Sequence, residues 1–470
     1  MAEHDYDLLV IGAGSGGVRA ARVAAKLGAK VAIVEKQELG GTCVNRGCVP
    51  KKLLVYAGRF AHEVEDMAGF GWTVPQKPSF DWATLIANKD AEIGRLNGIY
   101  GKLLAGSGVD LVEGFATFTD PHTVEVRDDA KGTRSVSADK ILVTTGSTPH
   151  VVEIPGRELG ITSDEVFHLK ALPKRIVIAG GGYIGLEMAS IFRSLGSEVH
   201  VVHRRDHVLG GFDRQCTDFL LSQLRLGGMH VHLEHTIEKI TETAGGIACE
   251  LDDGTILEGD VSMAATGRTP NTGSLGLDVA GVDLASSGGI IVDDEFRTNV
   301  PHIFALGDVI ERMPLTPVAI AEAMSFVSTQ FTDSPTQLDY ENIPTTIFTT
   351  PEFGTVGMSE EHAWERGHRV HCYCSEFRPM KNTLSGRHTR SLMKMVVDES
   401  TDRVLGVHVV GPDAGEIVQG FAVALRCGVT KRELDKTIGI HPTSAEELVQ
   451  MREPVKRAAG AGAEMRTKER

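Results

Sequence analysis

Short apolar runs alternate with helix-forming stretches at the start of the chain. Residues 7–11 form an apolar run that predicts a buried strand, and an alanine-rich stretch that ends at Leu27 predicts a helix. A second apolar run, residues 31–34, predicts another strand. A glycine-rich loop joins the first strand to the helix, which is the order of a doubly wound nucleotide-binding unit. The same order returns between residues 175 and 202, so the sequence predicts an α/β fold with two such units.

The first glycine-rich loop fits the fingerprint of a dinucleotide site. Gly12, Gly14 and Gly17 have the spacing G-x-G-x-x-G, and Glu35 ends the second strand. In such a unit the glycines allow a tight turn, and the helix N-terminus attracts the pyrophosphate. The acid binds the ribose hydroxyls. Strand, loop, helix, strand and acid occur in register, which makes the prediction stronger than the glycines alone would.

The second loop has the same glycine spacing but a different residue at the acid position. Its glycines are Gly180, Gly182 and Gly185. The position that matches Glu35 is occupied by His203, and two arginines, Arg204 and Arg205, follow it. An acid would repel a 2′-phosphate, whereas guanidinium groups bind it through charge-assisted hydrogen bonds. The second loop therefore predicts an NADPH site rather than an NADH site, the alternative being a solvated turn.

Two cysteines, Cys43 and Cys48, follow the first unit with the spacing C-x4-C. Five residues are about one and a third turns of helix, so the two sulfurs can meet on one flank. A disulfide that closes so small a ring adds little stability, and reversible two-electron chemistry explains it better. Lys51 and Lys52 lie close by and, with a helix N-terminus, should lower the thiol pKa. The alternative is two unrelated buried cysteines.

The composition argues against several classes of protein. The net charge is −15 and the isoelectric point about 5.6, which disfavours a nucleic acid or an anionic membrane as partner. The apolar runs are strand-sized, so we expect none to span a membrane. Seven cysteines favour a reducing compartment, and hence a cytoplasmic location. The first residues look like neither a signal peptide nor a transit peptide, and we expect no metal site.

The segment 40–52, which contains both cysteines, resembles the active-site signature of the glutathione reductases, in the pyridine-nucleotide disulfide oxidoreductase family. The resemblance extends from Tyr6 to Met451. It implies two Rossmann-like doubly wound nucleotide-binding domains and a C-terminal α+β dimerisation domain. The implied order is a FAD-binding domain with the redox disulfide at 1–150, an NADPH-binding domain at 151–268, a central part that completes the FAD domain at 269–337, and the dimerisation domain at 338–470. The tail beyond about Pro454 is expected to be poorly ordered.

The same resemblance assigns the two nucleotide sites. It implies that the first site binds FAD, because a later strand ending at Asp308 resembles the family's second FAD fingerprint. Segments 141–146 and 263–268 resemble the two crossovers between the nucleotide domains. The residues implied for FAD are Gly12, Gly14, Ser15, Gly17, Glu35, Thr42, Gly146, Asp308 and Thr316. The residues implied for NADPH are Gly180, Gly182, Gly185, Arg204, Arg205 and Arg268. Similar glutathione reductases often have alanine at the position of Gly185 and usually have arginine at the position of Gly210.

A histidine beside a proline, with a carboxylate five residues on, can form an oriented acid–base pair. His441 and Glu446 have this arrangement. The resemblance implies that Cys43 attacks glutathione disulfide and that Cys48 lies nearer the flavin. It also implies that His441 protonates the leaving thiolate from the other subunit, so the active site requires a homodimer.

Two further side chains, Tyr183 and Glu187, lie one helical turn apart after the second loop. The resemblance implies that Glu187 pairs with Lys51 beside the flavin and that Tyr183 gates the nicotinamide pocket. Together the residues implied for catalysis are Cys43, Cys48, His441, Glu446, Lys51, Glu187 and Tyr183.

The substrate side is expected to be cationic. Arg19 and Arg22 follow the first loop, and the carboxylates of glutathione disulfide suit them. Tyr100 matches the tyrosine that packs between the two glutathione halves in the resembled family, whereas Met324 replaces a substrate-binding arginine of some members. The implied activity is NADPH-dependent reduction of glutathione disulfide, which maintains the thiol pool. The alternatives are a related flavoprotein reductase of a trypanothione-like or dihydrolipoamide disulfide, or a flavin redox sensor without turnover.

Overall fold

A computed structural model describes residues 4–73, 76 and 78–455. The tail for which the sequence predicts poor order lies almost entirely outside these residues, since it continues from 456 to 470. In the part of the chain that the structure describes, no helix is long and apolar enough to cross a membrane.

The first third of the chain contains a run of alternating strands and helices, of which the fourth helix is the longest. These elements are β1 Tyr6–Ile11, α1 Ser15–Lys26, β2 Val31–Glu35, α2 Gly41–Asn45, α3 Cys48–Asp66, α4 Trp82–Ala105, β3 Asp110–Glu113, β4 Phe115–Asp120, β5 Thr123–Asp128, β6 Gly132–Val143 and β7 Ser147–Pro149.

The middle of the chain repeats the alternation and then adds a group of short strands. These elements are β8 Ile161–Thr162, α5 Ser163–Val166, β9 Arg175–Ala179, α6 Tyr183–Ser194, β10 Glu198–His203, α7 Arg214–Leu226, β11 His230–Leu233, β12 Ile237–Thr243, β13 Gly246–Leu251, β14 Ile256–Gly259, β15 Val261–Ala264 and β16 Arg268–Pro270.

The last part begins with a short strand and a long helix and ends in a mixture of strands and helices. These elements are β17 Ile303–Ala305, α8 Thr316–Phe331, β18 Thr345–Ile347, β19 Glu352–Gly357, α9 Glu360–Glu365, β20 Val370–Phe377, α10 Met380–Ser385, β21 Ser391–Asp398, β22 Val404–Gly411, α11 Ala414–Arg426, α12 Lys431–Lys436 and α13 Glu447–Gln450.

The first sheet is built around the apolar run that opens the chain. Its seven strands have the order β3-β2-β1-β6-β5-β4, and β17 pairs in parallel with β6. Strand β1 pairs in parallel with both β2 and β6, and Leu8, Leu9 and Val10 are fully buried. Helices α1 and α8 pack against each other beside this sheet. Strand β17 thus returns a distant part of the chain to the first core, which also contains Phe304 and Phe326.

The second sheet repeats this architecture. Its order is β11-β10-β9-β15-β8, with parallel pairing throughout. The antiparallel group β12-β13-β14 covers one face through a small apolar core that includes Val177 and Val202. The two-stranded pair β7–β16 lies where the chain leaves and re-enters the first unit. The prediction of an α/β fold with two nucleotide-binding units is confirmed, although the first sheet also has antiparallel pairs, β4 with β5 and β5 with β6.

The third sheet is antiparallel, with the order β18-β19-β22-β21-β20, and α11 packs on β19 and β22. A buried cluster of charges joins this unit to the second one. Lys394 on β21 lies 2.7 Å from Asp213, the N-cap of α7, and 2.8 Å from Glu360 at the start of α9. The three side chains are at most 2% exposed. Each charge is therefore tolerated only because the others compensate it.

Replacing Lys394 with methionine should destabilise the protein by about 3–5 kcal/mol, because two carboxylates would remain buried without a counter-charge. Denaturant unfolding followed by circular dichroism measures this. The matched control is Arg426→Met, which removes an ion pair to Asp339 whose side chains are 61% and 48% exposed. That change should cost less than about 1 kcal/mol. Equal effects of the two substitutions would contradict the account of the buried cluster.

Candidate active site

The two cysteines lie on two different helices, the short α2 and the 19-residue α3. Cys43 is in α2, whereas Cys48 is the first residue of α3, and the chain leaves helical geometry at Arg46 and Gly47 between them. The prediction that one helical flank carries both sulfurs is therefore wrong. The break needs a glycine, because a Cβ at Gly47 would lie 2.8 Å from the carbonyl oxygen of Thr42.

The break nevertheless brings the two sulfurs into hydrogen-bonding contact. Both side chains are free thiols. The hydrogen bond from Cys43, the hydroxyl of Thr316 and the charge of Lys51 lower the pKa of Cys48 to about 6, although burial opposes this. The same hydrogen bond, together with burial, raises the pKa of Cys43. The pair thus holds a thiolate on Cys48 and a proton on Cys43.

Two of the residues implied for FAD lie beside this pair. Thr316, the first residue of α8, has its hydroxyl 3.5 Å from the sulfur of Cys48 and also hydrogen-bonds to Cys43. Ser15, the first residue of α1, is a second hydrogen-bond partner of Cys43. The starts of α1, α3 and α8 therefore converge on the thiols, and their free backbone N–H groups favour negative charge there.

Lys51 connects the thiols to the second and third units. Its ammonium lies 2.7 Å from Glu187 on α6, with the two side chains 13% and 5% exposed. The same carboxylate oxygen accepts a hydrogen bond of 2.9 Å from the backbone N–H of Phe348, and the ring of Phe348 lies 4.2 Å from the Lys51 ammonium. The sequence predicts the lysine and the glutamate but not Phe348. No sequence signal could reveal it, because the contact is made by a backbone group of a remote segment.

In and beside the first glycine-rich loop, two glycines pack tightly against the backbone and two others face open space. A Cβ at Gly12 would lie 2.5 Å from the carbonyl oxygen of Thr144, and one at Gly17 would lie 2.1 Å from that of Gly12. A Cβ at Gly14 or at Gly146 would meet nothing within 4 Å. The open space lies at the start of α1, so a phosphate group can reach the backbone N–H groups there.

Glu35 ends β2 and holds the loop in shape. It accepts a hydrogen bond of 2.7 Å from the backbone N–H of Ala13, and its other oxygen accepts from the N–H groups of Lys36 and Gln37 at 2.8 and 2.9 Å. The acid thus lies against the loop, as expected for a ribose-binding residue of a dinucleotide site.

Asp308 lies where the first two units meet. Ser147 donates a hydrogen bond of 2.8 Å to its carboxylate, and Arg268 donates to the hydroxyl of Ser147 at 2.8 Å and to its carbonyl oxygen at 2.6 Å. Asp308 lies in a 3₁₀ turn and not at the end of a strand, because the strand stops at Ala305 and the chain turns at Gly307, whose φ is +79°. Ser147 is not among the predicted site residues, although it directly follows Gly146 at the end of a predicted crossover segment.

The second glycine-rich loop opens into a cavity of about 760 Å³. The residues that line it include Gly180, Gly182, Tyr183, His203, Arg204, Arg205, Arg268 and Asp308. A Cβ at Gly182 would meet nothing within 4 Å, as at Gly14 in the first loop. The cavity therefore has the same open backbone cradle, and its walls carry cations.

Two positions of this unit, one in the loop and one beyond β10, depart from similar glutathione reductases, and packing accounts for the first. A Cβ at Gly185 would lie 2.1 Å from the carbonyl oxygen of Gly180, so this backbone has no room for an alanine. A Cβ at Gly210 would lie 2.7 Å from the guanidinium of Arg205. The end of the exposed Arg205 side chain lies in this space, and it would have to move to admit a third arginine.

Arg19, Arg22 and Tyr100 lie together near the thiols. Arg19 and Arg22 are on α1 and Tyr100 is on α4, which packs against α1. Burial and, to a smaller extent, the neighbouring Cys43 raise the pKa of Tyr100, whereas Arg19 and Arg22 lower it, so all four groups share one electrostatic environment. Arg22 donates a hydrogen bond of 3.3 Å to Ser107, and Arg19 is exposed. Met324 is 41% exposed on α8.

His441 and Glu446 form the expected oriented pair. Nδ1 of His441 lies 3.1 and 3.2 Å from the two carboxylate oxygens. Glu446 also accepts from the N–H of Thr443 at 3.2 Å and from Gln450 at 2.7 Å, so it is fixed on three sides. The imidazole is 79% exposed, whereas the glutamate is 10% exposed. Within one chain, the hydrogen bonds of His441 go to Glu446 and those of Cys48 go to Cys43 and Thr316.

Comparisons with known proteins agree with this arrangement. Residues 6–323 match the family model "Pyridine nucleotide-disulphide oxidoreductase", and residues 343–452 match its dimerisation domain. The chain is 47% identical to a glutathione reductase of Burkholderia cepacia over 96% of its own length and 99% of the relative's. It is 47% identical to a chloroplastic/mitochondrial glutathione reductase of Pisum sativum over 97% of its own length and 84% of the relative's. It is 44% identical to a glutathione reductase of Nostoc sp. strain PCC 7120 over 95% of its own length and 99% of the relative's. The paired thiols, the two open glycine loops and these matches together place the chain in the pyridine nucleotide-disulphide oxidoreductase family.

Proposed function

We propose that the protein is a flavoprotein that reduces glutathione disulfide with NADPH, through reversible oxidation of Cys43 and Cys48 to a disulfide. The observation that carries the proposal is the position of the thiol pair, which has helix N-termini on one side and a cationic surface on the other. The curated relatives support the substrate, because all three are named glutathione reductases.

The open side of the first loop fits a dinucleotide, and we assign it to FAD. The backbone at Gly14 and Gly146 would border the pyrophosphate, Glu35 the ribose, and Asp308 the ribityl chain. FAD, when bound, would supply two-electron transfer between the coenzyme and the cysteine pair. Lys51, held by Glu187, would keep a positive charge beside the ring system and beside the Cys48 thiolate.

The cavity at the second loop fits the coenzyme. Gly180 and Gly182 would admit the pyrophosphate, and Arg204 and Arg205 would bind the 2′-phosphate that distinguishes NADPH from NADH. Tyr183 lies in the same cavity and would gate the nicotinamide. In this assignment residues 1–150 and 269–337 form the FAD domain, 151–268 the NADPH domain and 338–470 the dimerisation domain.

The thiol–disulfide half of the reaction follows from the proton on Cys43. Because its pKa is raised, Cys43 must lose a proton before it attacks, and His441 of the partner subunit would accept it. Cys43 then forms a bond with one sulfur of glutathione disulfide while the sulfur–sulfur bond breaks, and the first glutathione leaves with the proton from the imidazolium. The Cys48 thiolate attacks Cys43, releases the second glutathione and restores the disulfide. The dithiol loses the two electrons that the substrate gains.

We propose that the active form is a homodimer in which each site combines the cysteines of one chain with His441 of the other. Support comes from the exposure of the imidazole and from the match of residues 343–452 to a dimerisation domain. Glu446 would hold the imidazole in one tautomer and stabilise its protonated form.

Purified protein should reduce glutathione disulfide much faster than trypanothione or lipoamide disulfides, and with higher kcat/KM for NADPH than for NADH. Arg22→Ala should raise KM for glutathione disulfide about tenfold, because a charge-assisted contact to a carboxylate is lost. Oxidation of the coenzyme, followed at 340 nm, measures the rate with each disulfide and the KM of each variant. The control Lys26→Ala, one turn further along α1, should leave KM unchanged. Faster turnover of another disulfide would refute the substrate assignment.

Hybrid dimers of a Cys43→Ser chain and a His441→Ala chain should recover activity that neither parent dimer has. One of the two sites in the hybrid then combines intact cysteines with an intact histidine. Differently tagged chains, co-expressed and purified over both tags, provide the hybrid for a steady-state assay. An inactive hybrid would mean that each chain completes its own site.

The rate of alkylation of Cys48 by iodoacetamide in the reduced protein should rise with pH through a midpoint near 6. Only the thiolate reacts, so the rate falls below the midpoint and is constant well above it. Cys43→Ala should raise the midpoint by about 1–2 pH units, because it removes the hydrogen bond that contributes most to the lowered pKa. Peptide mass spectrometry gives the rates, with Cys427→Ala as the control that should change nothing. An unmoved midpoint in Cys43→Ala would contradict the proposed proton sharing.

A further inference from the structure

A group of metal-ligating side chains lies on the second unit, away from the thiols. Glu198 and His200 are on β10, and His230 and His232 are on β11, the edge strand of the sheet. We call these four residues the histidine cluster. The two strands are parallel, and His200 is paired with His230. Because alternate residues share a face of a strand, all four side chains lie on the same side of the sheet.

The cluster has the dimensions of a metal site. One ligand atom each from Glu198, His200 and His230 lie within 4.8 Å of one another. Nε2 of His200 is 3.1 Å from the Glu198 carboxylate, and the rings of His200 and His230 are stacked with centroids 4.7 Å apart. Tetrahedral zinc with bonds of about 2.0–2.1 Å needs ligand atoms about 3.3 Å apart. Glu198 is 54% exposed and His230 is exposed, so small rotamer changes can close the remaining distance.

His232 provides a hydrogen-bond partner for the second ring nitrogen of His200. Its Nε2 lies 3.0 Å from Nδ1 of His200. When His200 carries its proton on Nδ1 and donates it to His232, the lone pair on Nε2 faces Glu198. Metal-bound histidines are generally oriented by such a hydrogen bond from their second nitrogen. His200, with a side chain only 16% exposed, is held in this orientation by its surroundings.

We propose that the histidine cluster binds one divalent transition-metal ion of the class that prefers imidazole ligands, with Zn²⁺ as its representative. Glu198, His200 and His230 provide three ligands, and the exposed side leaves room for water as a fourth. Bound metal would join the edge strand β11 to β10. Strand β10 continues to His203 and, just beyond it, Arg204, about 13 Å further along the strand, so the site is separate from the coenzyme cavity.

The test is Zn²⁺ binding to the oxidised flavin-loaded protein, in which the catalytic sulfurs form a disulfide and cannot compete. After dialysis against EDTA, competition with a chromophoric indicator should give one Zn²⁺ per chain. His230→Asn should weaken binding at least tenfold, and so should His200→Asn, whereas His230→Cys, which keeps a zinc ligand, should retain it. Thermal unfolding without metal checks that each variant is folded.

Two control variants separate this site from other histidine clusters. His302→Asn alters the stacked pair of His122 and His302 on the first unit. His235→Asn alters a second group that also contains Asp252 and Asp253. Both should bind Zn²⁺ as the wild-type protein does. The proposal is overturned if the wild-type protein shows no saturable binding, if His230→Asn binds normally, or if His235→Asn alone loses the metal.

Discussion

The ion pair between Lys51 and Glu187 is the contact on which the arrangement of the site depends. It joins α3, which begins at a reactive thiol, to α6 in the second unit, and the N–H of Phe348 adds the third unit. Both charges are nearly buried, so loss of either partner would leave an uncompensated charge in the interior of the protein. Elements of all three units thereby meet beside the Cys48 sulfur, and the ammonium that joins them also lowers its pKa.

A second constraint is steric and is the same in both nucleotide-binding units. In each loop the third glycine packs against the carbonyl oxygen of the first, with no space for a Cβ, while the middle glycine faces open space. The tight contacts fix the helix against its strand, and the open glycine leaves the helix N-terminus accessible to an anion. The same glycine geometry therefore occurs in both units, whereas the end of the second strand differs, with Glu35 in one unit and His203, followed by Arg204 and Arg205, in the other.

Most of the correct predictions depend on patterns of residues that are close together in the sequence. The strands and helices around Gly12 and Gly180 follow from apolar runs and glycine spacing, and the His441–Glu446 pair follows from a short interval, because the residues concerned are close in the chain. The helix break between the cysteines was mispredicted, since a spacing of five residues fits one helix as well as two. The buried cluster of Lys394, Asp213 and Glu360 could not be predicted, because its members are far apart in the sequence and come together only in the tertiary structure.

The crowding at Gly185 has an evolutionary consequence. A Cβ at Gly185 would lie 2.1 Å from the carbonyl oxygen of Gly180. A single substitution to alanine therefore cannot be accommodated unless the loop moves. Selection on coenzyme choice can therefore act far more readily through the exposed arginines after β10, which face solvent and tolerate change without a folding penalty. A descendant that switched coenzymes would be expected to record the switch at Arg204 and Arg205 while its glycine loop stayed as it is.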